Sequence, residues 1–103
     1  MAGKTLVLMP DTEQALKKMG TRIKKARLRR NIRAEQLAER TGISKGTLSA
    51  IEKGVPTVSI GAYAAVLCAL DMKSDLDMIA LDEKGKQQYR ESNLPKRVRI
   101  TGR

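Results

Sequence analysis

Apolar positions at Leu16, Met19, Ile23 and Ala26 step by three and four, the signature of one helical face. Asp11 or Thr12 can cap this first helix, which the pattern carries to about residue 30, with Asn31 as its end. The spacing predicts a second helix over about 33–41 and a third over about 44–53, before the breaker Gly54-Val55-Pro56. Ser59 is placed to cap a fourth helix reaching about residue 70. Ile60, Tyr63, Ala64, Val66 and Leu67 make it apolar enough to lie in the middle of a core. Ser74 is read as the cap of a short fifth helix carrying Leu76, Ile79 and Ala80. Ahead of these helices, Leu6, Val7 and Leu8 have strand character and Pro10 stops them. That segment either pairs with its twin across a dimer or frays as a chain end. Beyond Asp82 the chain turns polar and charged, which predicts a mobile tail. The tail closes on the extended basic stretch Leu94-Pro95-Lys96-Arg97-Val98-Arg99-Ile100.

The expectation is an all-α fold, a compact five-helix domain over 11–81. An extended arm over 1–10 precedes it and a basic, flexible tail over 82–103 follows. Residues 33–53 are its most specific part. Gly42 supplies a left-handed backbone at no Cβ cost, so it can end the second helix. Ala38, four residues earlier, is small enough to let two steeply crossed helices approach. Ser44 can cap the third helix by accepting a backbone N–H. Leu37, Ile43, Leu48 and Ile51 then point at a shared core. Two short helices crossing over a tight turn is the geometry of a helix-turn-helix.

Charge adds a partner class. The 103-residue chain carries a formal net charge of +10, which calls for a polyanion: nucleic acid, an anionic membrane surface or an acidic protein. The charge is segregated. Lys17 to Arg30 holds eight basic residues (Lys17, Lys18, Arg22, Lys24, Lys25, Arg27, Arg29 and Arg30) and no acidic one. Asp71, Asp75, Asp77, Asp82 and Glu83 then form an acidic stretch against Lys73, and the tail is basic again.

Other chemistry is poorly provided for. With no His, no imidazole base and no Ser–His or Cys–His pair can form. One Cys leaves only carboxylates as metal ligands, at no recognisable spacing, so no cofactor, metal or enzymatic activity is expected. Cys68 cannot form an internal disulfide, which suits a reducing cytoplasm. Its place in an apolar helix predicts an inert, packed thiol. No Trp or Phe and only two Tyr give little for unstacked bases to stack on, which argues against single-strand binding. No run of about 18 apolar residues is present, so no membrane span is expected, and residues 5–9 are too short for a signal-peptide core. A membrane-surface role through the first helix lacks the Trp and Phe such helices use.

The residues of 19–72 resemble the helix-turn-helix domain shared by phage Cro and C1-type repressors and the xenobiotic-response-element (XRE) regulators. The resemblance is carried by Ile23 and Arg27, by Leu37-Ala38-Glu39 and by Gly42-Ile43-Ser44. It continues in Thr47-Leu48-Ser49, Ile51-Glu52-Lys53-Gly54, Ser59-Ile60 and Ala69-Leu70. There are departures: Ala34 replaces a common Gln, Val58 a common Pro and Asp71 a common Gly, and Gly46 and Ala50 stand where relatives place polar base readers. The order of arm, domain and basic ending further resembles HipB-type antitoxins, which pair with HipA-type serine/threonine kinase toxins.

The resemblance implies a cytoplasmic, nucleoid-associated repressor whose third helix enters the major groove of double-stranded DNA. Lys45, Gly46, Ser49 and Ala50 would face bases: Lys45 donating to guanine, Ser49 pairing with either kind of base, Ala50 touching a thymine methyl. Because Gly46 and Ala50 offer no hydrogen bonds, DNA shape would supply part of the specificity. Arg33, Thr47 and Lys53 would contact phosphates, joined by Arg22, Lys25 and Arg29 if the first helix lies near the backbone; taken singly, each of these helix-one cations reads more readily as a solvated charge. Glu52 is expected to be structural, close to Arg27. One short recognition helix reads too few bases alone, so a homodimer on a palindromic operator is expected, with Leu6, Leu8, Leu76, Ile79 and Leu81 at its interface. The acidic stretch and the basic tail would be surfaces for a HipA-like kinase. The alternatives are a stand-alone repressor without a toxin and a nonspecific basic binder, which would not need the spacing of 33–53.

Overall fold

A computed structural model describes residues 6–97. In chain order it contains α1 (Pro10–Arg29), α2 (Ala34–Thr41), α3 (Lys45–Glu52), α4 (Ile60–Ala69), α5 (Lys73–Asp77) and α6 (Glu83–Gln88), then a 3₁₀ turn over Glu91–Asn93. No strand occurs among the described residues. The core is drawn from α1 through α4 and the residue directly after α4. Ile23, Leu37, Leu48, Ile51, Val66 and Leu70 are all almost fully buried in it. Ala38 is buried as well, and Ile43 packs half-buried against this cluster.

Several boundaries differ from those the sequence suggests. Pro10 does not stop a strand; it opens α1, where its fixed φ suits a first helical position and its missing N–H costs nothing. Met9, not Asp11 or Thr12, is the N-cap, and Asp11 and Glu13 lie in the first turn beside the positive end of the helix dipole. Ser74 lies inside α5, whose N-cap is Met72. The preceding Asp71 takes a left-handed φ of 63°, which is the conformation the Gly common at this position would adopt freely. The tail is not wholly irregular. The side chain of Asp82 accepts from the N–H of Gly85 at 3.1 Å and nucleates α6. α4 is apolar all round yet not enclosed: Tyr63, Val66 and Leu67 are buried, whereas Ile60 and Cys68 are exposed. Cys68 is therefore not the packed thiol that its neighbours in sequence suggest.

α1 and α3 meet at a close crossing built on two glycines. A Cβ on Gly20 would lie 2.6 Å from the Gly54 nitrogen and 2.7 Å from the Ile51 carbonyl oxygen. A Cβ on Gly54 would meet the backbone of Leu16 and Lys17, and its φ of 73° is left-handed as well. Tyr63 fastens the chain leaving this crossing: its hydroxyl donates to the Val55 carbonyl at 2.7 Å. Burial of the ring pushes the Tyr63 pKa up.

Candidate nucleic-acid interface

The turn between α2 and α3 is set by local chemistry. Gly42 ends α2 with a φ of 74°, and the Ile43 N–H reaches back to the Ala38 carbonyl at 3.2 Å. Thr41 donates its hydroxyl to the Leu37 carbonyl at 2.8 Å, so the last turn of α2 is closed from its own chain. Ser44 Oγ accepts from the Thr47 N–H at 3.0 Å and caps α3. Thr47 Oγ1 lies 3.0 Å from Ser44 Oγ, so this predicted phosphate contact also serves the cap. At the start of α2, Gln36 Oε1 accepts from the Arg33 N–H at 2.9 Å.

With Leu48 and Ile51 buried, the helical period turns Lys45, Gly46, Ser49 and Ala50 outward together. Lys45, Gly46 and Ser49 are exposed and Ala50 is half-buried. Lys53, exposed at the end of α3, extends the same face. Arg33 is exposed at the N-cap of α2, beside the first N–H groups of that helix, which have no partner within it. The face is thus narrow, polar and cationic, with small side chains at its centre.

Glu35 tempers that charge. Its own backbone N–H, and then the nearby Lys45 ammonium, hold its carboxyl below the usual carboxylate range. Glu35, in the first turn of α2, is therefore a carboxylate within electrostatic reach of Lys45 at the start of α3. Sequence reasoning does not single Glu35 out; its proximity to Lys45 depends on the crossing of two helices.

The orientation of α3 is locked from behind. Arg27 Nε donates to Glu52 Oε2 at 2.7 Å and a terminal nitrogen donates to Oε1 at 3.1 Å, a two-pronged pair. The remaining terminal nitrogen donates to the Ile32 carbonyl at 2.9 Å. Arg27 is 8% exposed, and the hydrogen bond to Glu52 raises its pKa against the opposing effect of burial. One guanidinium therefore joins α1, the α1–α2 connection and α3. Glu52 is occupied by this pair and does not belong to the outward face.

The α1 cations divide by face. Gly20 and Arg27 mark the side of α1 that meets α3. At 100° per residue, Lys18, Arg22, Lys25 and Arg29 project from the opposite side. The structure does not bring Arg22, Lys25 and Arg29 together with Lys45 and Ser49. Of the residues expected at a dimer interface, Leu76 and Leu81 are half-buried and Ile79 is 57% exposed. In the arm, Leu6 is 58% exposed and Leu8 is half-buried. Val98, Arg99 and Ile100 lie outside the described residues.

No helix among the described residues is long and apolar enough to cross a membrane. No group of three or more His, Cys, Asp or Glu side chains among them is arranged to hold a metal ion. None of the curated proteins matches the chain. A family profile described as helix-turn-helix does match, over residues 23–76. That span covers more than half of the 103 residues, from the buried face of α1 through the recognition turn to α5. The chain belongs to the helix-turn-helix family of Cro/C1 (XRE) type, whose domain is a DNA-binding one.

Proposed function

We propose that this protein is a homodimeric, sequence-specific repressor that places α3 in the major groove of a two-fold symmetric operator. The observation that carries this reading is the outward face of α3. Lys45, Gly46 and Ser49 are exposed together while Glu52 is held back by Arg27. Lys45 donates to guanine O6 or N7, Ser49 pairs with a neighbouring base, and Ala50 lies against a thymine methyl. Gly46 lets the helix approach the groove floor without adding a hydrogen bond. Arg33, Thr47 and Lys53 hold the backbone on either side, with the N-terminus of α2 aimed at a phosphate. A good base contact supplies roughly 1–3 kcal/mol of discrimination, so two short helices read a compact code and DNA shape supplies the rest. No catalytic role is assigned.

Selection of bound duplexes from a random pool tests this. The expected product is an inverted repeat whose half-sites are centred about 34–36 Å apart. Recovery of duplexes with no shared sequence would count against the reading.

The finer reading is an autoregulating antitoxin of HipB type that also neutralises a HipA-like serine/threonine kinase. Its support is the order of parts: an arm, the DNA-binding domain and a basic ending. The exposed Tyr89 and Leu94 add apolar contact points in that ending. A kinase gene beside this one, and co-purification of its product with the full chain, would support the antitoxin; a solitary gene favours the stand-alone repressor.

A further inference from the structure

α1 and α5 leave an open groove of about 180 Å³ between them, floored by Met19, Ile23, Leu67, Met72 and Ile79. Through Met19, Leu67 and Ile79 it is continuous with an apolar hollow of about 200 Å³, whose rim includes Ile60. Ile60 is 73% exposed, so this surface offers apolar contacts that the chain itself does not cover. The two walls of the groove carry opposite charge. Arg22 stands on the α1 wall and Asp75 on the α5 wall. Lys18, Lys25 and Arg29 continue the basic wall along α1. Asp77 on the acidic helix is engaged by Lys73 at 3.1 Å, but Arg22 and Asp75 make no ion pair. Among the described residues only Arg27–Glu52 and Lys73–Asp77 do so.

We propose that this groove is the homodimer face, and that a second copy of the chain seats on it with Arg22 of each copy opposite Asp75 of the other. The inference rests on the proposed homodimer and names its surface. An apolar floor with a charged rim is the anatomy of a protein interface. The rim also fixes the symmetry. A two-fold axis along the groove sets each basic wall against an acidic wall; an axis across it sets like charges together. Arg22 and Asp75 line the same groove from its two walls. The two cross-pairs are related by the two-fold axis, so both form at once. No residue of α2 or α3 lines the groove, so Lys45, Gly46 and Ser49 are not part of it. Leu76 and Ile79 belong to this surface; Leu6, Leu8 and Leu81 are not needed for it.

Sedimentation equilibrium of the full chain tests the proposal with Arg22→Glu, Asp75→Arg and their equimolar mixture. Both sites are exposed, and unchanged helical circular dichroism checks each fold. Each single variant creates two like-charge contacts per dimer and should weaken dimerisation by roughly tenfold or more. Mixing them replaces both repulsions by attractions, so the heterodimer should form about as tightly as the unmodified homodimer. An attraction confined within one copy is not restored by mixing. A dimeric parent that neither substitution weakens, or a mixture no tighter than the singles, overturns this face and leaves the homodimer standing. A parent that stays monomeric both free and on operator DNA overturns both.

Discussion

At the residue scale, the outcome turns on one guanidinium. Arg27 spends its donors on Glu52 and on the Ile32 carbonyl, and it is buried while doing so. Removing one member of such a pair leaves an uncompensated charge out of water, which costs about 3–5 kcal/mol. Glu52→Ala should therefore lower the urea midpoint strongly, and adding a second substitution, Arg27→Met, should recover part of the loss. A double variant that loses as much as Glu52→Ala and Arg27→Met lose singly, added together, would show that the pair is not coupled. The link between Glu52 and Arg27 was legible in the sequence from their places in the motif. The Ile32 bond was not, because it depends on how the chain turns after α1. Nor was the influence of Lys45 on Glu35, which lie on different helices and are brought within electrostatic reach by the α2–α3 crossing.

At the element scale, two glycines serve different ends. Gly42 has open space around its Cβ position and a φ of 74°, so its constraint is purely conformational. Gly20 has ordinary helical backbone and no room: the Gly54 nitrogen and the Ile51 carbonyl stand in the way. Gly42→Ala should cost about 1–2 kcal/mol in urea unfolding from the left-handed backbone alone. Gly20→Ala should cost about 1–3 kcal/mol by forcing α1 off α3, and operator affinity should fall with it because the seat of α3 moves. Operator binding that survives Gly20→Ala unchanged would contradict that coupling. Gly42 could be read from sequence because a turn residue acts locally. Gly20 could not, because its reason is a neighbouring backbone. α6 escaped for a third cause: Glu83–Gln88 has no apolar period, and its start rests on the Asp82 cap. The arm met the opposite error: Pro10 reads as the stop of a strand and proves to be the first residue of α1.

At the scale of the whole molecule, the +10 charge is distributed over separate surfaces. The α3 face carries few cations and small side chains, suited to approach a groove. The α1 row lies on the far flank and borders the groove beside α5. If charge alone held the DNA, these surfaces would be equivalent; in the proposed complex only the α3 face reads sequence. The most direct test is a titration of the protein against its own upstream DNA and a scrambled duplex of equal length, at 50 and 200 mM salt, with Lys45→Ala alongside. The native duplex should bind more tightly than the scrambled one at both salts. Lys45→Ala should remove about 1–3 kcal/mol of that preference while leaving the salt dependence of scrambled binding nearly as it was. Equal binding of both duplexes by the unmodified chain, falling together with salt, would contradict sequence reading by α3: charge, and not the face of that helix, would then hold the DNA.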